Sequence, residues 1–240
     1  MSCPVCNTEV YTEIGRKNNF TLVDCQSCSC IYVNPIPEPS QLQGIYEDYQ
    51  PTEKYIKKLK KKIFTSVYKL LRLRRYQNNN NGKTFLDVGC NIGATVRAAQ
   101  KLGYDSMGID LDETSISKAK ELFDQCEFES CSTFDLIKKE RKFDFIYCSE
   151  VIEHVPFPRE FVQSLADLMQ PGALLYLTTP DSGHRKIPKD FLSWKEIKPP
   201  EHIVFFKKST MRYILQEHGF EIVKFFWNHR ANLRVICKKL

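Results

Sequence analysis

The chain has no run of about eighteen apolar residues, so no membrane-spanning helix is expected. Its first residues, Met-Ser-Cys-Pro, lack an apolar stretch, so no secretory leader is expected either. At 240 residues it is short for two full domains but long enough for one sizeable α/β domain and a small module. Hydrophobic residues at 42% exclude global disorder. Acidic residues are missing from one stretch: between Lys54 and Arg75 there are ten Lys or Arg and no Asp or Glu. The net charge is +6 and that stretch alone carries +10, which leaves −4 for the rest. Cysteine, by contrast, is plentiful. Ten cysteines in a chain with no leader point to metal ligands or buried thiols in a reducing cytoplasm, rather than to disulfides.

Four regions separate by composition. Residues 1–36 are cysteine-rich with strand-like pieces. Residues 37–53 hold Pro37, Pro39 and Pro51 and read as a connector. Over 54–76, Ile56, Leu59, Ile63, Val67, Leu70 and Leu71 recur at three- and four-residue steps, which predicts a basic amphipathic helix. "QNNNNG", residues 77–82, is a polar break. From Lys83 onward strands alternate with helices. "TFLDVG", "SMGIDLD", "CEFES", "KFDFIYCS" and "ALLYLTTPD" read as strands. "GATVRAAQKLG", "ETSISKAKELF" and "PREFVQSLADLMQ" read as helices, as does "STMRYILQEHG" with a Ser209 cap and Gly219 at its end. This alternation implies an α/β fold with a parallel sheet covered on both faces. "FEIVKFFW" and "NLRVICKKL" have no helix between them and are expected to pair antiparallel.

In such sheets the ligand lies beyond the C-terminal ends of the strands. The first strand of the series ends in "FLDVGCNIGA", which reads from Gly89 as a degenerate dinucleotide fingerprint with Asn91 at its middle glycine. Asn tolerates the left-handed backbone that the turn requires. Asp110 ends the second strand, where a carboxylate can accept both hydroxyls of a ribose. That feature supports a nucleoside without choosing between NAD and S-adenosylmethionine. Asp87 discriminates: a carboxylate beneath the turn is awkward beside a pyrophosphate but suits a cationic amino-acid group. The bland alternative is a tight turn that holds nothing.

"FLDVGCNIG", "MGIDLDE", "FDFIYCSEVIEHV", "LADLMQPGALLYLTTPD" and "PPEHIVFF", in this order, resemble class I S-adenosylmethionine-dependent methyltransferases over roughly residues 83–240. The resemblance implies a Rossmann-like seven-stranded sheet with the last strand antiparallel. It also implies that Asp87, Gly89, Cys90 and Gly93 line the methionine end of the cofactor and that Asp110 and Leu111 hold the ribose. Ser132 and Thr133 would flank the adenine, and Ser149 and Glu150 would close the pocket. Asn91 and "QPGA" depart from the family's usual glycine and "KPGG".

Cys3-x2-Cys6 and Cys25-x2-Cys28 form two knuckles that can give one metal four thiolates. A segment of 36 residues cannot bury enough core to fold alone, so zinc would supply its stability. Such a closed site leaves no open position, so its role is structural or one of recognition rather than catalysis. The segment also resembles the N-terminal zinc ribbon of a bacterial methyltransferase group, in which a Gly and an apolar residue stand where Ser29 and Cys30 stand here. That argues against Cys30 as a ligand. The expected organisation is therefore a zinc ribbon at 1–36, a connector and basic helix at 37–82, and a methyltransferase domain at 83–240 with a lid-like insertion at 181–206.

Glu150, Glu153 and His154 would share a face if their segment is helical. They resemble the Glu…Glu-His set with which quinone-biosynthesis O-methyltransferases can bind a divalent metal. Local packing is preferred over metal binding here, because such short motifs recur widely. His154 is the first candidate for a general base and His202 the second. In the insertion, His184, Trp194 and His202 are candidates to touch the acceptor, with a small core around Trp194 as the equal alternative.

Three functions fit the sequence. One is methylation, through oxygen, of a small-molecule or saccharide acceptor. Another is RNA methylation, with ribbon and basic helix gripping RNA. Against it, the second knuckle lacks a C-x3-H pattern, and no D/N-P-P-Y follows the fourth strand. The third is a non-catalytic S-adenosylmethionine-binding protein, against which the Asp87, Gly89, Gly93 and Asp110 set weighs. The basic helix reads most simply as a solvated lysine face, with nucleic acid or anionic lipid as the sharper alternatives.

Overall fold

The structure, a computed structural model, describes residues 2–37, 57–77 and 82–240. Most of the expected connector, the first residues of the basic helix and the asparagine run lie outside the described residues. Among the described residues the chain forms two compact units. One holds 2–37, 149–163 and 177–237; the other holds 57–77, 82–148, 164–176 and 238–240.

Strands β1 (Tyr11–Lys17), β2 (Phe20–Cys25) and β3 (Ile31–Val33) form an antiparallel meander near the N-terminus. Helix α1 is Leu59–Arg74. The alternating series follows: β4 (Thr84–Val88), α2 (Ala94–Lys101), β5 (Asp105–Asp110), α3 (Glu113–Leu122), β6 (Glu127–Ser130), α4 (Thr133–Ile137), β7 (Phe143–Ser149), α5 (Pro158–Asp167) and β8 (Met169–Pro180). The chain closes with β9 (Val204–Phe205), α6 (Lys208–Glu217), β10 (Phe220–Phe225) and β11 (Asn232–Lys239).

β10-β11-β8-β7-β4-β5-β6 is the order of a seven-stranded sheet whose last strand is antiparallel, the Rossmann-like arrangement. β4 pairs in parallel with both β5 and β7, and β5 with β6. Strand order therefore reverses at β4, and ligands of open α/β sheets bind at such reversals. Phe85 and Phe145 meet edge to face at 5.3 Å across β4 and β7, and Tyr104 packs 5.7 Å from Phe85. These rings fill the core toward the N-terminal ends of β4 and β5.

One local expectation, the Ser209 cap, is corrected, and two segments left open by the sequence take a definite local structure. Helix α6 begins at Lys208 with Lys207 in the capping position, so Ser209 lies inside the first turn and does not cap it. "EVIEHV" forms a single 3-10 turn, Ile152–His154, preceded by Glu150 in the left-handed region (φ 59°), so no α-helical face exists there. The 181–206 insertion is tied at its end into the N-terminal sheet, and its small core around Trp194 is present. β9 pairs antiparallel with β3, making a four-stranded sheet β1-β2-β3-β9. Trp194 is buried with Leu22, Ile31, Ile197 and Phe205 in one small core. Burial of this one large ring outweighs its exposure to any ligand.

Candidate functional site

In the unit that carries β4, the cofactor turn is built around two carboxylates. Asp87 is buried at the end of β4, and its carboxyl is held well above the usual range by burial, with the Asp110 charge nearby adding to the shift and Lys69 opposing it. Asp110 at the end of β5 is raised chiefly by burial as well. Its Oδ2 accepts from the Asn91 N–H at 2.8 Å and its Oδ1 from the Asp112 N–H at 3.1 Å. The acid expected to hold a ribose thus also locks the turn, and each oxygen keeps a further lone pair. Asn91 adopts φ 49°, as the sequence required, and its Oδ1 accepts from the Ile92 N–H.

Gly93 (φ 77°) opens α2, and a Cβ there would stand 2.5 Å from the Phe128 ring. Its need for glycine is therefore packing against β6. The Cys90 side chain is buried with Val96, Ile116, Ala119 and Phe128 and turns away from any ligand, so only its backbone belongs to the turn. Leu111 is exposed beside Asp110. The Ser132 hydroxyl caps α4 in a reciprocal box with Asp135, and Thr133 is buried with its Oγ1 accepting from Ser164 at 2.7 Å. Both hydroxyls are committed to the fold, which leaves the backbone as what these two offer. Lys69 was not found by sequence reading. It extends from α1 to donate to the Tyr147 hydroxyl at 2.7 Å, and its lysine-rich neighbourhood hid it.

The other unit carries a separate polar group. Ser149 Oγ lies 2.7 Å from Thr178 Oγ1, which donates to Glu150 Oε1 at 2.7 Å; the Asn232 amide donates to the same oxygen at 2.7 Å. Glu150 is held by these bonds and is not part of a metal-ligand group with Glu153 and His154, which agrees with the preference for local packing. A different one does: ligand atoms of Glu153, His154 and His202 lie within 4.8 Å of one another. Glu153 is almost wholly buried, with Oε2 accepting from Thr179 at 2.9 Å and Oε1 without a hydrogen bond among the described residues. Burial raises its carboxyl well above the usual range.

His154 Nδ1 lies 2.7 Å from the Glu201 carbonyl and His202 Nδ1 lies 2.9 Å from the Glu196 carbonyl. Carbonyls only accept, so both Nδ1 atoms carry protons and both Nε2 atoms present lone pairs. The rings meet edge to face at 4.7 Å. Burial lowers the His154 pKa from 6.5, and burial with His154 beside it lowers His202 to about 3. Both imidazoles are neutral at pH 7, and His202 is too weak a base to serve. His184 is spent on a turn, accepting from the Lys186 N–H and donating to the Asn228 carbonyl, so it does not join them.

The four knuckle cysteines of this same unit converge. Cys3 and Cys28 sulfurs are 3.6 Å apart, Cys6 and Cys25 sulfurs 3.5 Å, and all four lie within 4.8 Å. A disulfide needs about 2.05 Å. Asn7 (φ 59°) and Ser29 (φ 58°) close the two knuckles in the same left-handed conformation. Cys30 is fully buried, its Sγ 3.9 Å from the Phe205 carbonyl and in contact with the Cys3 and Cys28 thiols, but it is not one of the four grouped sulfurs.

A methyltransferase domain family matches residues 55–224. A ubiquinone biosynthesis O-methyltransferase from Histophilus somni (strain 2336) is 30% identical over 183 residues, 70% of this chain and 72% of the relative. Its counterpart from Coxiella burnetii (strain Dugway 5J108-111) is 35% identical over 102 residues, 41% of this chain and 44% of the relative. The chain thus spans under half the length of some curated relatives that it matches. Among solved structures, magnesium protoporphyrin IX methyltransferase from Synechocystis PCC 6803 with bound SAM superposes with a TM-score of 0.53 at 18% identity, over 74% of this chain and 78% of that one. With the strand order, the β4 turn and a family match over most of its length, the chain belongs to the methyltransferase domain family and has the class I S-adenosylmethionine-dependent fold.

Proposed function

We propose that this chain transfers a methyl group from S-adenosylmethionine to a hydroxyl oxygen of a small-molecule or saccharide-type acceptor. The observation that carries the donor is the buried carboxylate pair at the β4 turn. Two acids held near each other out of water favour a cationic ligand over a pyrophosphate. The choice of oxygen is supported by the names of the O-methyltransferase relatives. S-adenosylmethionine, when bound, supplies an electrophilic methyl on a positively charged sulfur. Asp87 would balance its cationic amino-acid end, and Asp110 would accept from the ribose hydroxyls. His154 would accept the proton of the acceptor hydroxyl at Nε2. Glu201, through its carbonyl, keeps the proton of His154 on Nδ1 and so keeps Nε2 free.

The cysteine cluster fits one structural zinc. A tetrahedron with Zn–S bonds of ~2.3 Å has edges of ~3.8 Å, and the two close sulfur pairs stand at 3.5 and 3.6 Å. The four ligands would close the coordination sphere, which assigns the ion to folding.

Transfer of a labelled methyl from S-adenosylmethionine to members of a panel of catechols and saccharides tests the activity, and no transfer to any hydroxyl acceptor contradicts it. Asp110→Ala removes a charged hydrogen-bond acceptor worth about 1.5–3 kcal/mol. Its dissociation constant for the cofactor is therefore expected to rise about ten- to hundredfold in a calorimetric titration. An unchanged constant would remove Asp110 from the donor site.

A further inference from the structure

Helix α1 packs inward through Leu59 and Ile63, which meet Ile92, Ala94 and Phe123, and through buried Leu70 and Leu73. Its outward side is not simply polar. Phe64 is 74% exposed, Tyr68 61% and Leu71 50%, and their four- and three-residue spacing aligns them in one stripe. Exposed Lys60 and Lys61 stand at one end of that stripe and exposed Arg72 and Arg75 at the other. The Arg72 guanidinium lies 5.9 Å from the Tyr68 ring centre. No Asp or Glu occurs anywhere in the helix, which by itself carries the whole net charge of the chain, +6. A solvated lysine face explains the cations but not three large apolar side chains held in water along their midline.

We propose that the outer face of α1 is a docking surface for an anionic lipid bilayer. An apolar stripe framed by lysine and arginine is the pattern of helices that lie in the membrane interface. The apolar side chains enter the acyl boundary, and the cations meet lipid phosphates. Charge complementarity names the occupant: four clustered cations without an acid suit a surface of dense negative charge. The shape favours a bilayer over nucleic acid. The stripe lies on the convex side of a single helix, which a planar surface can cover, whereas single strands are held in grooves where bases stack on aromatic rings. The proposal goes beyond methyl transfer and does not depend on it, since none of these residues belongs to the sites above.

Sedimentation of the full chain with vesicles tests it. Binding is expected to vesicles of phosphatidylcholine mixed with phosphatidylglycerol, and not to phosphatidylcholine alone. It should fall steeply when salt is raised to about 0.5 M, where screening shortens to a few ångströms. Lys60→Glu with Lys61→Glu should weaken binding on the order of tenfold or more, and Phe64→Ala with Leu71→Ala should weaken it on the order of tenfold. All four positions are solvent-facing, so circular dichroism and cofactor binding should match the unaltered chain. No binding to the mixed vesicles overturns the proposal. So does binding that neither double variant weakens, or displacement from the vesicles by a small excess of single-stranded RNA.

Discussion

Cys25→Ser is expected to empty the zinc site and open to protease both the N-terminal sheet and the 181–206 segment that carries His202. Structural zinc contributes about 10–16 kcal/mol to small modules that cannot fold without it, and one small cluster, Leu22, Ile31, Trp194, Ile197 and Phe205, packs on this sheet. The coupling to the insertion is backbone-deep. Val33 N–H donates to the Ile203 carbonyl at 2.9 Å, and Ile203 N–H donates to the Glu153 carbonyl at 2.9 Å. Thr210 donates to the Cys28 carbonyl at 2.8 Å, and Arg159 to the Val5 carbonyl at 2.9 Å. Loss of the knuckles therefore loosens the frame that brings His202 to Glu153 and His154. The strands from β4 to β7 share none of these bonds and are expected to survive as a resistant fragment. Limited proteolysis with mass spectrometry, alongside elemental analysis, checks this. The wild type should hold about one zinc per chain and resist cleavage, and the variant should hold none and be cut in both segments. A metal-free wild type that resists protease would contradict the assignment.

His154→Ala should lower turnover about 10²–10⁴-fold, the usual contribution of a positioned base, while leaving cofactor affinity within about twofold, since His154 holds no part of the donor. The pH dependence follows from the direction of its shift. His154 is lowered below 6.5 by burial, so it is neutral and able to accept a proton throughout the neutral range. Turnover of the wild type should be level there and fall only as pH drops below 6.5, when His154 takes a proton and its base function is lost. The alanine variant should lack that acid limb. Equal rates of variant and wild type from pH 6 to pH 9, a range that spans the titration of an ordinary imidazole, would exclude His154. Chelators that abolish turnover of a protein still holding its zinc would place a second metal in the chemistry.

Much of the fold was legible because it is written in local periods. The switch from alternating strands to helical spacing, Gly103 and Gly219 at helix ends, and two closing strands without a helix between them all have counterparts in the structure. The turn was legible too, since Asp87, Asn91 and Asp110 each have a reason to be of that residue type. The partnership of His202 with Glu153 and His154 was not. It joins residues nearly fifty positions apart through a two-residue strand, and no local pattern announces a strand that short. Trp194 was ambiguous for the same reason: its neighbours Leu22 and Ile31 come from the far end of the chain. The three- and four-residue spacing of Glu150, Glu153 and His154 made a shared face conditional on a helix, and the segment instead turns through a left-handed residue into a 3-10 turn. Cys90 and Thr133 have the right sequence positions for a cofactor site, but their side chains point into the core.

Calorimetric titration of the purified chain with S-adenosylmethionine and with NAD tests the central claim most directly. The buried carboxylates at the β4 turn predict saturable binding of S-adenosylmethionine and weak or no response to NAD, whose pyrophosphate would face Asp87. Tight binding of NAD with no heat from S-adenosylmethionine would contradict the account.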